Sequence, residues 1–348
     1  MPGAQASCLH ERFDYSIALK KCRVVVRTCS AHAGKMPALP AKSCLIHINM
    51  SELALNPSTL AAIGRLEIIA RTVVEGFLAG QHRSPFRGMS PEFAAHREYM
   101  AGDEVRRIDW RVYARTDRLY VKEFEEETNA PVRLLLDVSA SLAYAPREVS
   151  KLDYARYLVA ALAYLMTRQN DRVGLICFND EVRERLESRG GQRHLHLIFN
   201  ALENVKAAGQ TRIGESLLRE AARWKRRGLV VLVSDLYDEA EAITKAVACV
   251  RRTGHDVIVF HLLDRAELRL EGRGLFEFHD LETGETLVAD ADRVRRAYVE
   301  RVDGMRAFYR REFESAGADY VELDPSEPLD RALAMYLRKR KKGESGRG

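Results

Sequence analysis

Two carboxylates and three hydroxyls stand at spacings that a parallel sheet would gather at one edge. Asp137-x-Ser139-x-Ser141 puts three oxygen-bearing side chains on one tight turn after an apolar run. Thr211 lies in a loop that leads into a helix, and Asp235 follows a second apolar run. An all-oxygen set of this kind suits a hard divalent cation, Mg²⁺ or Mn²⁺. Mg²⁺ prefers six ligands and keeps several waters. If Ser139, Ser141 and Thr211 bind directly while Asp137 and Asp235 act through water, the ion stays electrophilic. It then keeps a position for an anionic oxygen from outside, such as an Asp or Glu of a partner protein. Binding of this kind needs no general base, and the sequence places none nearby. Each residue also has a plainer reading: the triplet as a polar turn, Thr211 as a helix cap, Asp235 as a cap that Asp238 is better placed to supply.

The elements that must position these residues are legible from pattern. Val132 to Leu136, Val173 to Phe178, Leu229 to Val233, Val257 to Leu262 and Tyr320 to Leu323 are short apolar runs, the look of buried parallel strands. Val182 to Leu186 suits an edge strand. Between them lie helical patterns: Ser150-x-x-Asp153 caps one that carries Tyr154, Tyr157, Leu158, Ala161, Leu162 and Leu165. His194 to Val205 and Ile213 to Trp224 read as helices. Asp238-x-x-Glu241 caps a further helix that Gly254 stops. Phe276 to Val288 reads as a hairpin around Thr283-Gly284, Val294 to Phe313 as a long helix, and Leu329 to Leu337 as a last one. The expected fold is α/β: a doubly wound, mainly parallel sheet with helices on both faces and a small β-rich N-terminal appendage. Ligand sites of such sheets lie at the carboxyl ends of the strands, where Asp137 and Asp235 fall.

Bulk properties bound the class. The 348 residues are 46% apolar and 30% charged, ordinary for a globular protein. The net charge is +5, but residues 1–49 and 338–348 each carry +5, so residues 50–337 carry −5. A mildly acidic body gives no support to nucleic-acid binding. No stretch is long and apolar enough for a membrane span. Four cysteines (Cys8, Cys22, Cys29, Cys44) lie in the first 49 residues; Cys177 and Cys249 are expected to be buried free thiols, as in a cytoplasmic protein. Residues 1–49 lack periodicity and read as an unstructured extension of the kind an upstream start site would add. The expected division is then a helix over 50–84 begun at Asn56-Pro57 and stopped near Gly80, the β-rich appendage over 85–130, the main domain over 131–325, and a helix with a basic tail over 326–348.

Asp137-x-Ser139-x-Ser141, Thr211 and Asp235, in that order on those elements, resemble the metal-ion-dependent adhesion site of von Willebrand factor A domains. Residues 97–127, with Arg97-Glu98-Tyr99-Met100-Ala101-Gly102-Asp103, Arg106-Arg107-Ile108-Asp109-Trp110, Ala114-Arg115 and Val121-Lys122-Glu123-Phe124, resemble the signature of the bacterial family called domain of unknown function 58. Its members look like von Willebrand A domains and are often encoded beside MoxR-type AAA+ ATPases. The resemblance implies a cytoplasmic adaptor or co-chaperone that recruits such an ATPase, or its client, through Mg²⁺.

Arg106, Arg107, Asp109, Trp110 and Arg115 form either a salt-bridged surface or a partner-docking face. His194 and His196 are two apart on a helix and point in different directions, so they share no metal. There is no Walker A loop, no Gly-x-Gly-x-x-Gly turn after a strand and no His-Glu-x-x-His, which disfavours nucleotide hydrolysis. Two other readings remain: a metal-dependent hydrolase using Asp137 and Asp235, for which Lys151 and Arg212 are the basic groups nearby, and a structural interaction protein that needs no metal.

Overall fold

The computed structural model describes residues 24–28, 56–83, 96–99, 112–114, 117–122 and 131–345. In chain order the strands are β1 (Val24–Thr28), β2 (His96–Glu98), β3 (Tyr120–Lys122), β4 (Pro131–Asp137), β5 (Arg172–Phe178), β6 (Val182–Arg189), β7 (Leu229–Ser234), β8 (Asp256–Leu262), β9 (Leu275–Asp280), β10 (Thr286–Asp290) and β11 (Asp319–Leu323). The helices are α1 (Pro57–Ala61), α2 (Leu66–Arg83), α3 (Lys151–Arg168), α4 (Gln192–Asn204), α5 (Ile213–Ala221), α6 (Ala240–Arg252), α7 (Arg265–Arg269), α8 (Ala291–Ser315) and α9 (Asp330–Ser345).

Six strands form the main sheet in the order β11-β8-β7-β4-β5-β6. The first five are mutually parallel and β6 runs antiparallel to β5. The apolar runs do this because each is buried on both faces. Every residue of β4 is buried: Val132, Leu134 and Leu136 enter one core, and Leu135 enters the other. The first core holds α2, α3, α4 and α9; the second holds α5, α6 and α8. The doubly wound reading is therefore borne out. Helix α3 is buried nearly all round, from Lys151 to Met166, as a helix must be when a sheet lies on one side and α2 on the other. β6 is different. It mixes exposed charged residues with half-buried ones, and two register shifts interrupt its pairing with β5.

Several expectations are corrected. Residues 24–28 are not structureless: this run of β-branched residues pairs antiparallel with β9 and extends the β9–β10 hairpin to three strands. The first helical pattern is broken in two, because Gly64 takes φ +77° between α1 and α2. Asn56 does cap α1, accepting from the Ser58 N–H, but α2 runs past Gly80 to Arg83. Cys249 is exposed, since α6 turns Ile243, Ala246, Val247 and Val250 inward and Cys249 away. Cys177 is buried, and its thiol is pushed up to about 12 by that burial. His194 is buried with Nε2 on the Val173 carbonyl, whereas His196 faces Glu67. Of the expected appendage, β2 and β3 pair antiparallel. Arg106, Arg107, Asp109, Trp110 and Arg115 lie outside the described residues, as do Cys8, Cys22, Cys29 and Cys44. Among the described residues no helix is long and apolar enough to cross a membrane.

Candidate functional site

The chain leaves β4 and crosses to β5 on one side, then returns to β7 on the other, so the strand order reverses at β4. A crevice opens outside the carboxyl ends at such a point. Asp137 closes β4 there. The β4–β7 register pairs Leu136 with Val233, which carries Ser234 and Asp235 to the same edge. Val138 N–H donates to the Phe178 carbonyl at the end of β5 (2.8 Å), and two more backbone bonds bring in the loop before α5: Ala208 N–H to the Val138 carbonyl (2.9 Å) and Ala140 N–H to the Gly209 carbonyl (2.9 Å). Gly209 has φ +74°, and a Cβ there would stand 2.8 Å from Asn179 Nδ2. That amide holds the loop by donating to the Ala208 carbonyl at 2.7 Å.

The five expected residues converge. Asp137 Oδ1 accepts from the Ser139 N–H at 2.9 Å, and Oδ2 from Thr211 Oγ1 at 3.3 Å and Ser234 Oγ at 2.6 Å. Ser139 Oγ and Ser141 Oγ are 2.9 Å apart. All five side chains are buried. Burial, and then the neighbouring Asp235 charge, push Asp137 up to about 6, against the hydrogen bonds from Ser234 and Ser139. Asp235 Oδ1 is buried without a hydrogen-bond partner.

Asp235 Oδ2 is not idle. Lys151 Nζ donates to it at 2.8 Å and to Glu267 Oε1 at 2.8 Å. Burial opposes this ammonium, but Asp235 and Glu267 outweigh it and hold its pKa above the ordinary lysine value. The Tyr237 ring lies 4.9 Å away and the Tyr144 ring 5.6 Å away, adding cation–π contact. Glu267 is fixed in turn by the capping box of α7, its Oε2 accepting from the Asp264 N–H. Behind the site, His261 Nε2 meets the Asp235 carbonyl at 3.0 Å and Nδ1 meets the Tyr320 hydroxyl at 2.6 Å. A carbonyl can only accept, so Nε2 carries the proton and Nδ1 accepts from Tyr320. Burial lowers His261 to about 4, which keeps the ring neutral in this role.

Lys151 was visible in the sequence as a nearby basic group; its partner Glu267 and the hydroxyl of Ser234 were missed. The pattern Asp264-x-x-Glu267 is a capping signature and could have located α7. Asp238 does not cap its own helix. Glu239 holds that place without a side-chain bond, and Asp238 Oδ2 accepts from the Ile213 N–H at 2.7 Å instead. The first turn of α5 needs this, because its N-cap residue Arg212 has no side-chain oxygen. Arg212 is 63% exposed and pairs with Glu215.

Whether these residues suit a divalent cation can be judged from the donors. No group of three or more His, Cys, Asp and Glu side chains converges among the described residues, so a cation here must take hydroxyl oxygens as well. Ser139, Ser141 and Thr211 supply them. Two carboxylates repel across the site, and one oxygen, Asp235 Oδ1, is buried and unmatched. A hard cation would answer both, and the set fits Mg²⁺ or Mn²⁺.

A family model described as "Protein of unknown function DUF58" matches residues 95–307, more than half of the chain. The chain belongs to the DUF58 family. Two uncharacterized proteins, from Mycobacterium bovis and Mycobacterium tuberculosis, are each 26% identical to this DUF58 chain over 294 residues, covering 83% of it and 92% of theirs. Among solved structures, an aerotolerance-related membrane protein of Bacteroides fragilis is 18% identical and covers 60% of the DUF58 chain and 98% of its own, with a TM-score of 0.43. The conserved hypothetical protein BatB of Bacteroides thetaiotaomicron is 18% identical, covers 61% and 98%, and scores 0.44. The von Willebrand A domain of SpRpn10 is 11% identical, covers 58% and 92%, and scores 0.37.

Proposed function

We propose that this DUF58 protein is a Mg²⁺-dependent protein-binding module rather than an enzyme. Ser139, Ser141 and Thr211 would hold the ion directly, with Asp137 and Asp235 acting through its waters. The bound ion supplies an electrophilic position for a carboxylate of a partner protein. The observation that carries the reading is the convergence of these five side chains at the switch point of the sheet, with Asp235 Oδ1 buried and unmatched. Mn²⁺ would serve the same oxygen set.

The basic groups argue for binding over hydrolysis. A metal-dependent phosphoester hydrolase at this edge would need a base and a basic side chain to hold phosphate beside the metal, and Lys151 is committed to Asp235 and Glu267. Arg212 turns to Glu215 on the surface. The family resemblance extends the proposal to a partner: a MoxR-type AAA+ ATPase, or its client, in the cytoplasm. The test is a pull-down from native cytosol in Mg²⁺ and in EDTA, with wild type and Asp137→Ala in parallel. An AAA+ ATPase retained only by wild type in Mg²⁺ is the expected result. Equal recovery in all four lanes would remove the metal site from docking.

A further inference from the structure

The β9–β10 hairpin ends in Asp280-Leu281-Glu282-Thr283-Gly284, and its turn is tightly made. Asp280 Oδ1 accepts from the N–H groups of Glu282 (2.8 Å) and Thr283 (3.1 Å). The Gly284 N–H donates to the Asp280 carbonyl at 2.8 Å, and Gly284 takes φ +72°. This turn aims Glu282 at the strand edge of a different sheet. Glu282 Oε2 accepts from the Thr211 N–H at 3.2 Å, and Oε1 is buried. Thr211 is the residue whose hydroxyl donates to Asp137. A carboxylate from the β9–β10 turn is thus bonded to the backbone of a residue of the oxygen set.

Three features separate this contact from an ordinary surface hydrogen bond. The group is an acid, bonded to the backbone of a residue whose hydroxyl meets Asp137, and so of the same chemistry as the carboxylate a partner would offer. It is 71 residues from Thr211 in sequence, so local chain geometry does not enforce it. The hairpin rests on a small core of its own, Leu270, Phe276 and Ala291, distinct from the two that hold the sheet.

We infer that Glu282 is an internal stand-in for the partner's carboxylate: it covers the site in the free protein, and an acidic partner must displace it. The inference rests on the metal-dependent binding reading above and adds a specific competitor to it.

The experiment uses the full chain as wild type, Glu282→Gln and Glu282→Ala. Mn²⁺ binding is followed by the loss of the free-ion paramagnetic resonance signal, and binding of glutarate to the Mn²⁺-loaded proteins by calorimetry. Both variants are expected to bind Mn²⁺ and to bind glutarate on the order of tenfold more tightly, the gain from emptying a site that is internally occupied about nine-tenths of the time. The Thr211 amide should also exchange its hydrogen faster in Glu282→Ala, which has no acceptor for it. Unchanged glutarate affinity in both variants, with Mn²⁺ still bound, would overturn the internal competitor and leave the metal reading standing. Loss of Mn²⁺ from the variants alone would make Glu282 part of the metal site and overturn its role as a competitor. No Mn²⁺ bound by wild type would sink the metal reading and this inference with it.

Discussion

Lys151 and Asp235 are 84 residues apart in sequence, yet their side chains meet at 2.8 Å with 1% and 0% of their surface exposed. The pair joins the first turn of α3 to the loop after β7. It also gives Asp235 a counter-charge on one oxygen while the other is buried without a hydrogen-bond partner.

Removing one member of such a group should be costly. Lys151→Met would leave Asp235 and Glu267 buried without their cation, and breaking a buried ion pair in this way costs about 3–5 kcal/mol. Urea unfolding is expected to show that loss. Adding Glu267→Gln to the variant should recover part of it, since one of the stranded charges is then gone. A double variant no more stable than Lys151→Met would mean that the charges are not the cause.

Asp137→Asn should separate folding from ion binding. The carboxylate is buried and repelled by Asp235, so at pH 7 in EDTA its neutral replacement is expected to be at least as stable as wild type. Wild type should gain about 2.7 kcal/mol at a Mg²⁺ concentration one hundred times the dissociation constant, and the variant nothing. Calorimetric melting with and without Mg²⁺ reads both. Equal Mg²⁺ stabilisation of the two proteins would remove Asp137 from the ion's surroundings.

Acid should reveal two opposed titrations. His261 is lowered from 6.5 to about 4, so the unfolded chain binds its proton first, and its contribution is lost as pH falls below about 6.5. Asp137 is raised from 3.8 to about 6, so the folded chain binds its proton first, and that contribution is lost as pH rises through about 6. Each is worth about 3 kcal/mol. In EDTA the wild type should therefore change little in stability between pH 4 and 6.5. Asp137→Asn should lose stability toward acid and His261→Gln should gain it. Parallel pH profiles for the two variants would contradict this assignment.

Asp238→Ala tests a cap that crosses between helices. It should cost about 1 kcal/mol, the usual value of an N-cap, by leaving the Ile213 N–H unmet. Hydrogen exchange should quicken in the first turn of α5 and not in α6. Faster exchange confined to α6 would restore the sequence-based view of Asp238.

Much of this was readable from local pattern, because the fold repeats a local rule. A parallel strand buried on both faces must be a short apolar run, and the residue that ends it stands at the ligand edge; hence Asp137 and Asp235 could be placed. Gly254 and Asn56 were legible for similar reasons of backbone conformation and capping. What escaped was long-range pairing. Nothing near Lys151 announces Glu267, and nothing in the Thr283-Gly284 turn announces that Glu282 reaches Thr211. Asp238 misled because a cap signature gives the donor's chemistry but not which helix supplies the N–H groups. The break at Gly64 was hidden by an apolar stripe that runs through both helices.

The uneven strand β6 bears on how a partner can dock. Among the described residues it is one margin of the main sheet, a position where unpaired backbone groups invite another chain to add a strand. Arg183, Glu184, Arg185, Glu187 and Arg189 line it, and its two irregularities bend the ladder out of register. Both features discourage strand addition, so this margin resists growing the sheet into a second molecule. Recognition by main-chain pairing is thereby closed off on that side. On the proposed reading a partner would instead meet side chains at the carboxyl ends of the strands, which favours reversible association over templated aggregation.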